Sequence, residues 1–172
     1  MPPSTIEKKG VPTPVCAGIG LGANLGHARA TLAAAIQALA ALPDSTLRAC
    51  SSIYRSTPID SSGPDYLNAV ALLDTVLTPQ ALLAELQRIE LAHGRERPYR
   101  NAPRTLDLDL LFHGEQRLES PALTLPHPRM HERAFVLRPL AELAPDLAIP
   151  GHGRVAELLA GVADQHADKL AG

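Results

Sequence analysis

The chain has 172 residues, 45% of them hydrophobic, a formal net charge of −2 and only two cysteines, Cys16 and Cys50. This length fits one domain whose core needs no disulfide or metal, and two cysteines outside any paired motif exclude a disulfide scaffold or a zinc ribbon. The slightly acidic balance argues against a protein that binds nucleic acid through bulk positive charge.

The apolar runs and the N-terminal segment give an expectation for the cellular location of the protein. No apolar run approaches the ~20 residues of a membrane helix. Residues 1–14 lack the apolar centre of a signal peptide. We therefore expect a cytoplasmic protein with a disordered leader over residues 1–14, a single domain over residues 15–172, and no membrane partner.

The first half of the chain alternates strand and helix patterns. An apolar run bounded by glycines predicts a buried strand at residues 15–21, and an alanine-rich stretch with leucines at helical spacing predicts a helix at residues 27–42. Two further strands are predicted at residues 47–54 and 67–77. The polar segment at residues 56–65 between them is too long for a tight hairpin.

A second helix is predicted from Thr78, a good N-cap followed by Pro79, to His93. A fourth strand follows at residues 105–112. The order β-α-β-β-α-β predicts an α+β fold, a ferredoxin-like α/β sandwich with a four-stranded antiparallel core sheet and both helices on one face. The predicted C-terminal additions are a helix at residues 130–143, a turn at residues 150–153 and a short helix at residues 155–159.

The fourth predicted strand carries two carboxylates beside an arginine-rich segment. Asp107 and Asp109 alternate with leucines, so they share one face with Cα atoms about 6.6 Å apart. Carboxylates at this spacing suit a divalent cation such as Mg²⁺, and guanidinium groups match phosphate oxygens. A solvated edge strand would show the same alternation, but the conjunction favours a phosphate-binding site beside a metal site. The preceding arginines are Arg95, Arg97, Arg100 and Arg104.

The glycines near the N-terminus do not form a nucleotide-binding loop. Gly18, Gly20, Gly22 and Gly26 miss the spacing Gly-x-Gly-x-x-Gly, and no Gly-Lys-Ser/Thr follows. We interpret them as a tight turn and close strand packing. The phosphates must therefore be held elsewhere.

Several polar and aromatic residues are further candidates. His127 and His131 are spaced for a metal pair on one helical turn, but the proline after His127 disfavours that geometry, so His127 is expected to act alone near the site. Gln87 and Glu90 lie at the end of the second predicted helix and fit either a solvated flank or the site. Other candidates are Tyr66 and Phe135, which could stack a flat ring or simply pack in the core, and Asn68, which could bind the edge of that ring.

Together these blocks closely resemble the 6-hydroxymethyl-7,8-dihydropterin pyrophosphokinase family over residues 15–153. The most specific block is Pro-Arg-Thr-Leu-Asp-Leu-Asp at residues 103–109, after Gly-Arg-x-Arg at residues 94–97. Supporting blocks are residues 22–26, 52–55, 65–68 and 126–127 with Arg133. The resemblance implies a ferredoxin-like sandwich that transfers pyrophosphate from ATP to the pterin alcohol, giving AMP, in folate biosynthesis.

The resemblance also implies which residues act. Asp107 and Asp109 would bind two Mg²⁺ ions between ATP and the pterin alcohol, and they are the implied catalytic residues together with Arg95 and Arg104. The implied ATP-binding residues are Gln87, Glu90, Arg97, Arg100, Leu110, Thr124, His127 and Arg133. The implied pterin-binding residues are Ser56, Thr57, Pro58, Ile59, Tyr66, Asn68 and Phe135. The expected partners are these two small molecules, without nucleic acid, bound by a monomer.

The chain departs from the family at a few positions, and the residues alone leave rivals open. Ala23, Asn101, Ala102 and Pro128 replace residues that are common in the family, which affects stacking and loop closure. A nucleotidyl transferase or cyclase would use the same aspartates but release pyrophosphate. A non-catalytic sandwich would use the arginines to bind RNA.

Overall fold

A six-stranded antiparallel sheet forms the centre of the computed structural model, which describes residues 13–23, 27–56, 66–93 and 106–170. The strands are β1 (Val15–Ala23), β2 (Ser45–Cys50), β3 (Tyr54–Ser56), β4 (Tyr66–Thr75), β5 (Asp107–His113), β6 (Leu118–Glu119), β7 (Thr124–Leu125), β8 (Ala148–Ile149), β9 (Gly153–Arg154) and β10 (Ala167–Lys169). The α-helices are α1 (Ala28–Ala40), α2 (Pro79–Ala92), α3 (Ala134–Leu143) and α4 (Val155–Leu158). Two 3₁₀ turns are found at Met130–Glu132 and Leu159–Val162.

The large sheet has the strand order β10-β3-β4-β1-β5, and β2 also pairs with β4. β1 lies along one edge of β4 over its whole length, so β2 and β3 occupy the two ends of the other edge. The pairs β6-β7 and β8-β9 form separate two-stranded ribbons. The sheet is therefore larger than the predicted four-stranded core, because the C-terminal β10 and the short β3 extend it.

Most predicted elements are confirmed with small differences at their ends, but two are interrupted. The sequence predicts one strand over residues 47–54, and the structure divides it into β2 and β3. At the division, the N–H of Ser51 donates to the Val70 carbonyl and its hydroxyl accepts from the Val70 N–H, each over 2.9 Å. Because the hydroxyl replaces a backbone acceptor, the contact with β4 continues without a regular strand.

The second interruption lies in the helix predicted over residues 130–143. A 3₁₀ turn is followed by Arg133 in an extended conformation, with φ −119° and ψ 115°, and α3 starts only after it. The side-chain amide of Gln165 bonds to the backbone on both sides of Arg133 and replaces helical hydrogen bonds there. By contrast, α2 starts as predicted, because the Thr78 hydroxyl accepts from the Ala81 N–H over 3.1 Å.

Two hydrophobic cores lie on opposite faces of the sheet. The core against α1 and α2, here called the helix-side core, includes Leu32, Leu86 and Ile19. The core against α3 and α4, here called the C-terminal core, includes Phe112 and Leu137. Consecutive residues of β4 alternate between the two cores, as strand geometry requires.

No helix in the described residues is long and apolar enough to cross a membrane.

Strand β1 has large side chains on one face only. Ile19 and Leu21 face the helix-side core, so Gly18, Gly20 and Gly22 face the other side. The buried Phe112 ring covers Gly18 so closely that a Cβ there would overlap the ring. Close packing accounts for Gly18, whereas the contacts at the next two glycines are looser: a Cβ would lie 3.4 Å from the Leu111 side chain at Gly20 and 3.3 Å from Asn68 at Gly22.

We expect Gly18→Ala to lower the free energy of unfolding by about 1–3 kcal/mol, because a buried aromatic ring must shift to admit the methyl group. Urea denaturation followed by circular dichroism measures this change. Gly161→Ala is the control, since a Cβ at Gly161 meets nothing within 4 Å. Equal stability of the two variants would contradict the packing described for Gly18.

Candidate active site

The two aspartates of β5 share an open face of the sheet, as the sequence predicts. Asp107 pairs with Gly22 and Asp109 with Gly20 on β1, while Leu108 between them is buried in the helix-side core. Glycine has no side chain to cover its neighbour on the next strand. The carboxylates therefore stand beside an uncovered floor on the face opposite the helix-side core.

A cavity of about 250 Å³ lies over this floor, and we call it the first cavity. Strands β3 and β4 supply part of its lining, β5 supplies the carboxylates, and the start of α3 supplies Arg133, Phe135 and Val136. Its lining includes seven residues expected at the site. They are Ser56, Tyr66, Asn68, Asp107, Asp109, Arg133 and Phe135.

A short hydrogen bond fixes the amide of Asn68 in this cavity. The Ser56 hydroxyl donates to Asn68 Oδ1 over 2.6 Å, and both residues are buried. A Cβ on Gly22 would lie 3.3 Å from Asn68 Nδ2, so the amide nitrogen is on the Gly22 side. With its oxygen engaged by Ser56, Asn68 presents its N–H groups toward the open floor.

The two expected aromatic residues meet at the first cavity. Tyr66 starts β4 and Phe135 lies in the first turn of α3, and both line the cavity while half-buried. The guanidinium carbon of Arg133 lies 5.4 Å from the centroid of the Phe135 ring, within cation–π distance. This wall thus combines a flat apolar surface with a positive charge.

A second cavity of about 290 Å³ adjoins the first. Three expected ATP-binding residues, Leu110, Thr124 and His127, line it together with the segment that joins β6 and β7. Asp109 lines both cavities. A ligand in either cavity would therefore lie beside the same residue.

His127 is neutral and oriented by the backbone. Burial lowers the pKa of His127, and the nearby Arg133 and Arg129 lower it further, against the raising effect of Asp109. Its Nδ1 accepts from the Arg129 N–H over 3.2 Å, so the proton is on Nε2. His131 does not join it, because the His131 ring stacks on His152 at 3.8 Å.

Glu90 supports the acidic strand from behind. This residue of α2 is 5% exposed, and its Oε2 accepts from the backbone N–H of Leu108 over 2.8 Å. Leu108 separates the two aspartates, so the bond fixes the strand segment that carries them. Glu90 does not line the second cavity, and neither does Gln87, which is exposed on the same helix.

Part of the expected site lies outside the described residues. These positions are Arg95, Arg97, Arg100 and Arg104 within residues 94–105, and Thr57, Pro58 and Ile59 within residues 57–65. The described chain resumes beside the site after both gaps, at Leu106 next to Asp107 and at Tyr66 in the first cavity.

Sequence reasoning missed the role of Gly20 and Gly22 as the floor of the site. Both glycines line the first cavity, between the Asn68 side and the carboxylate side. The signal was present as glycine at every second position of a strand whose other positions are apolar. Such a pattern indicates one bare face, and a bare face beside two carboxylates indicates a binding surface.

The chain is similar to known pyrophosphokinases. Relatives from Pseudomonas aeruginosa and Haemophilus influenzae are both named 2-amino-4-hydroxy-6-hydroxymethyldihydropteridine pyrophosphokinase, which gives the class of protein. The first is 47% identical over 155 residues, covering 90% of this chain and 96% of the relative. The second is 44% identical over 157 residues, covering 91% of this chain and 98% of the relative.

The family follows from a match over residues 18–145 to the family described as 7,8-dihydro-6-hydroxymethylpterin-pyrophosphokinase (HPPK). The chain belongs to this family. A crystal structure described as HPPK-DHPS in complex with substrates has the same fold, with a TM-score of 0.70 at 12% identity. The alignment covers 90% of this chain but 44% of that chain, so the chain spans less than half of that protein.

We expect Glu90→Leu to lower the free energy of unfolding by about 1–3 kcal/mol, because it leaves the buried Leu108 N–H without its carboxylate acceptor. The turnover rate should fall as well, since the strand between the aspartates loses its support. Glu90→Gln retains an acceptor oxygen and should be milder in both measurements, which are thermal denaturation and steady-state kinetics.

The exposed Gln80 on the same helix provides the control Gln80→Leu, which should leave both quantities unchanged. If Glu90→Leu matched this control, the carboxylate would have no role in holding β5.

Proposed function

We propose that this chain transfers the pyrophosphoryl group of ATP to the hydroxymethyl group of 6-hydroxymethyl-7,8-dihydropterin, giving AMP and the pterin diphosphate for folate synthesis. Family membership supports the reaction. The observation that carries the proposal in the structure is the position of Asp109, which lines two adjoining cavities. A transfer between two bound substrates needs such a shared boundary.

The first cavity is the proposed pterin site. Its size suits a small bicyclic ring, and Tyr66 and Phe135 give it aromatic surfaces on which such a ring can stack. The N–H groups of Asn68, held in place by Ser56, suit the acceptor atoms on the ring edge. In this arrangement the hydroxymethyl group points toward the aspartates. Thr57, Pro58 and Ile59 are proposed to continue the pterin edge beyond Ser56.

The second cavity is the proposed nucleotide site. Leu110 and Thr124 line it, and His127 offers its Nε2 proton to a phosphate oxygen. Arg133 lines the first cavity, from which it would supply a positive charge for the transferred group. Gln87 and Glu90 are proposed to act from the end of α2, Glu90 by way of its bond to β5.

Asp107 and Asp109 are the proposed ligands of two Mg²⁺ ions. The described residues contain no group of three metal-binding side chains. Two carboxylates suit Mg²⁺, which retains water and takes substrate phosphates as further ligands. Bound Mg²⁺ would neutralise phosphate charge and align the alcohol with the phosphorus it attacks. The aspartates themselves orient that position, because β5 fixes both on one face.

The remaining charge compensation is assigned to arginines. We propose that Arg95, Arg97, Arg100 and Arg104 bind the triphosphate and stabilise charge during transfer, since a guanidinium fork engages two phosphate oxygens at once. None of the described side chains is assigned the role of a general base. Catalysis then rests on alignment and electrostatic stabilisation.

The strand order of the large sheet fits this proposal. The strands β5-β1-β4-β2 have the order expected of an extended ferredoxin-like core, which we propose as the fold class. We also propose that the chain acts as a monomer on these small molecules.

The test is chromatography of the nucleotides after incubation with ATP, Mg²⁺ and 6-hydroxymethyl-7,8-dihydropterin. We expect AMP only when the pterin is present. Asp107→Asn and Asp109→Asn should each lower kcat/KM by roughly 100- to 1000-fold, because each removes a charged ligand at the reacting phosphates. The exposed Asp146 provides the control Asp146→Asn, which should retain full activity.

Other products would contradict the proposal. ADP would indicate a simple kinase, and pyrophosphate would indicate nucleotidyl transfer. Binding of RNA without turnover would indicate the non-catalytic alternative.

A further inference from the structure

The side-chain amide of Gln165 bonds to the backbone on both sides of Arg133. Its Oε1 accepts from the Ala134 N–H over 2.9 Å, and its Nε2 donates to the Glu132 carbonyl over 2.8 Å. One side chain thus satisfies the peptide groups before and after Arg133. Gln165 itself lines neither cavity.

These bonds act where the chain changes conformation. Arg133 is extended between a 3₁₀ turn and α3, and no side chain of its own segment caps the helix. The Ala134 N–H belongs to the first turn of α3, where backbone donors lack helical partners. Gln165 supplies the acceptor for this donor.

The segment that carries Gln165 is firmly attached to the rest of the fold. The guanidinium of Arg138 donates to the carbonyls of Ala167 at 2.8 Å and of Gln165 at 3.2 Å. Beyond Gln165, β10 pairs with β3 and places Ala167 opposite Ser56. The Gln165 segment is therefore tied both to α3, through Arg138, and to β3.

We propose that Gln165 is a positioning residue that directs Arg133, and with it Phe135, into the substrate site. Both side chains line the first cavity. Arg133 directly follows the bonded carbonyl of Glu132, and Phe135 directly follows the bonded N–H of Ala134. The proposal rests on the proposed function, which gives these two side chains their roles. It places a determinant of the site in the C-terminal segment, beyond the residues 18–145 matched to the family.

The first experiment compares Gln165→Leu with Gln116→Leu, the same substitution at an exposed position. Gln165→Leu should raise the KM values for pterin and ATP roughly five- to tenfold with a smaller change in kcat, because two positioning hydrogen bonds are lost and no reacting atom is touched. Gln165→Glu keeps an acceptor for Ala134 and should have a smaller effect. Gln116→Leu should match the unmodified protein.

The second experiment separates positioning from stability. In an Arg133→Ala background, the effect of Gln165→Leu on kcat/KM should become clearly smaller, since coupled residues are not additive, and the part that acts through Phe135 should remain. Hydrogen exchange of the Ala134 amide should accelerate in Gln165→Leu and stay slow in Gln116→Leu. This second readout does not depend on activity.

Two results would overturn the inference. One is an unchanged KM in Gln165→Leu despite faster exchange at Ala134, which would make Gln165 structural only. The other is an undiminished effect of Gln165→Leu in the Arg133→Ala background. Failure of the proposed function is distinct, because the unmodified protein and Gln116→Leu would then form no AMP with the pterin.

Discussion

The pairing of two glycines with two aspartates is the constraint on which the site depends. Gly20 and Gly22 of β1 stand opposite Asp109 and Asp107 of β5, so side chains are missing where the carboxylates need space. The opposite face of β1 must stay apolar, because its side chains, such as Ile19, form part of the helix-side core. One strand thus meets two demands through its alternation, a dense core on one side and an open surface on the other.

The second face of the sheet is consequently divided between packing and binding. Toward one end, the Phe112 ring covers Gly18 and α3 completes the C-terminal core. Toward the other end lies the first cavity, which Arg133 and Phe135 line from the start of α3. Helix α3 therefore both packs against the sheet in the C-terminal core and supplies part of the lining of the first cavity.

The sequence predicted what local patterns determine. The helix start at Thr78 and the shared face of Asp107 and Asp109 follow from nearest neighbours and from the period of a strand. The break at Ser51 and the extended conformation of Arg133 depend on hydrogen-bond partners in β4 and in the C-terminal segment. These partners are distant in sequence, so local patterns cannot predict either feature. For Tyr66 and Phe135 the residues alone left stacking and core packing open, because only the tertiary fold places both at the first cavity. The roles assigned to individual site residues stay predictions.

The shared position of Asp109 has a thermodynamic consequence. Because Asp109 lines both cavities, a ligand in one cavity that moved this residue would also change the surface offered by the other cavity. Thermodynamic linkage requires that if one ligand changes the affinity of the second by some factor, the second changes the affinity of the first by the same factor. Asp109 of β5 is thus the residue through which any coupling between the two cavities would pass.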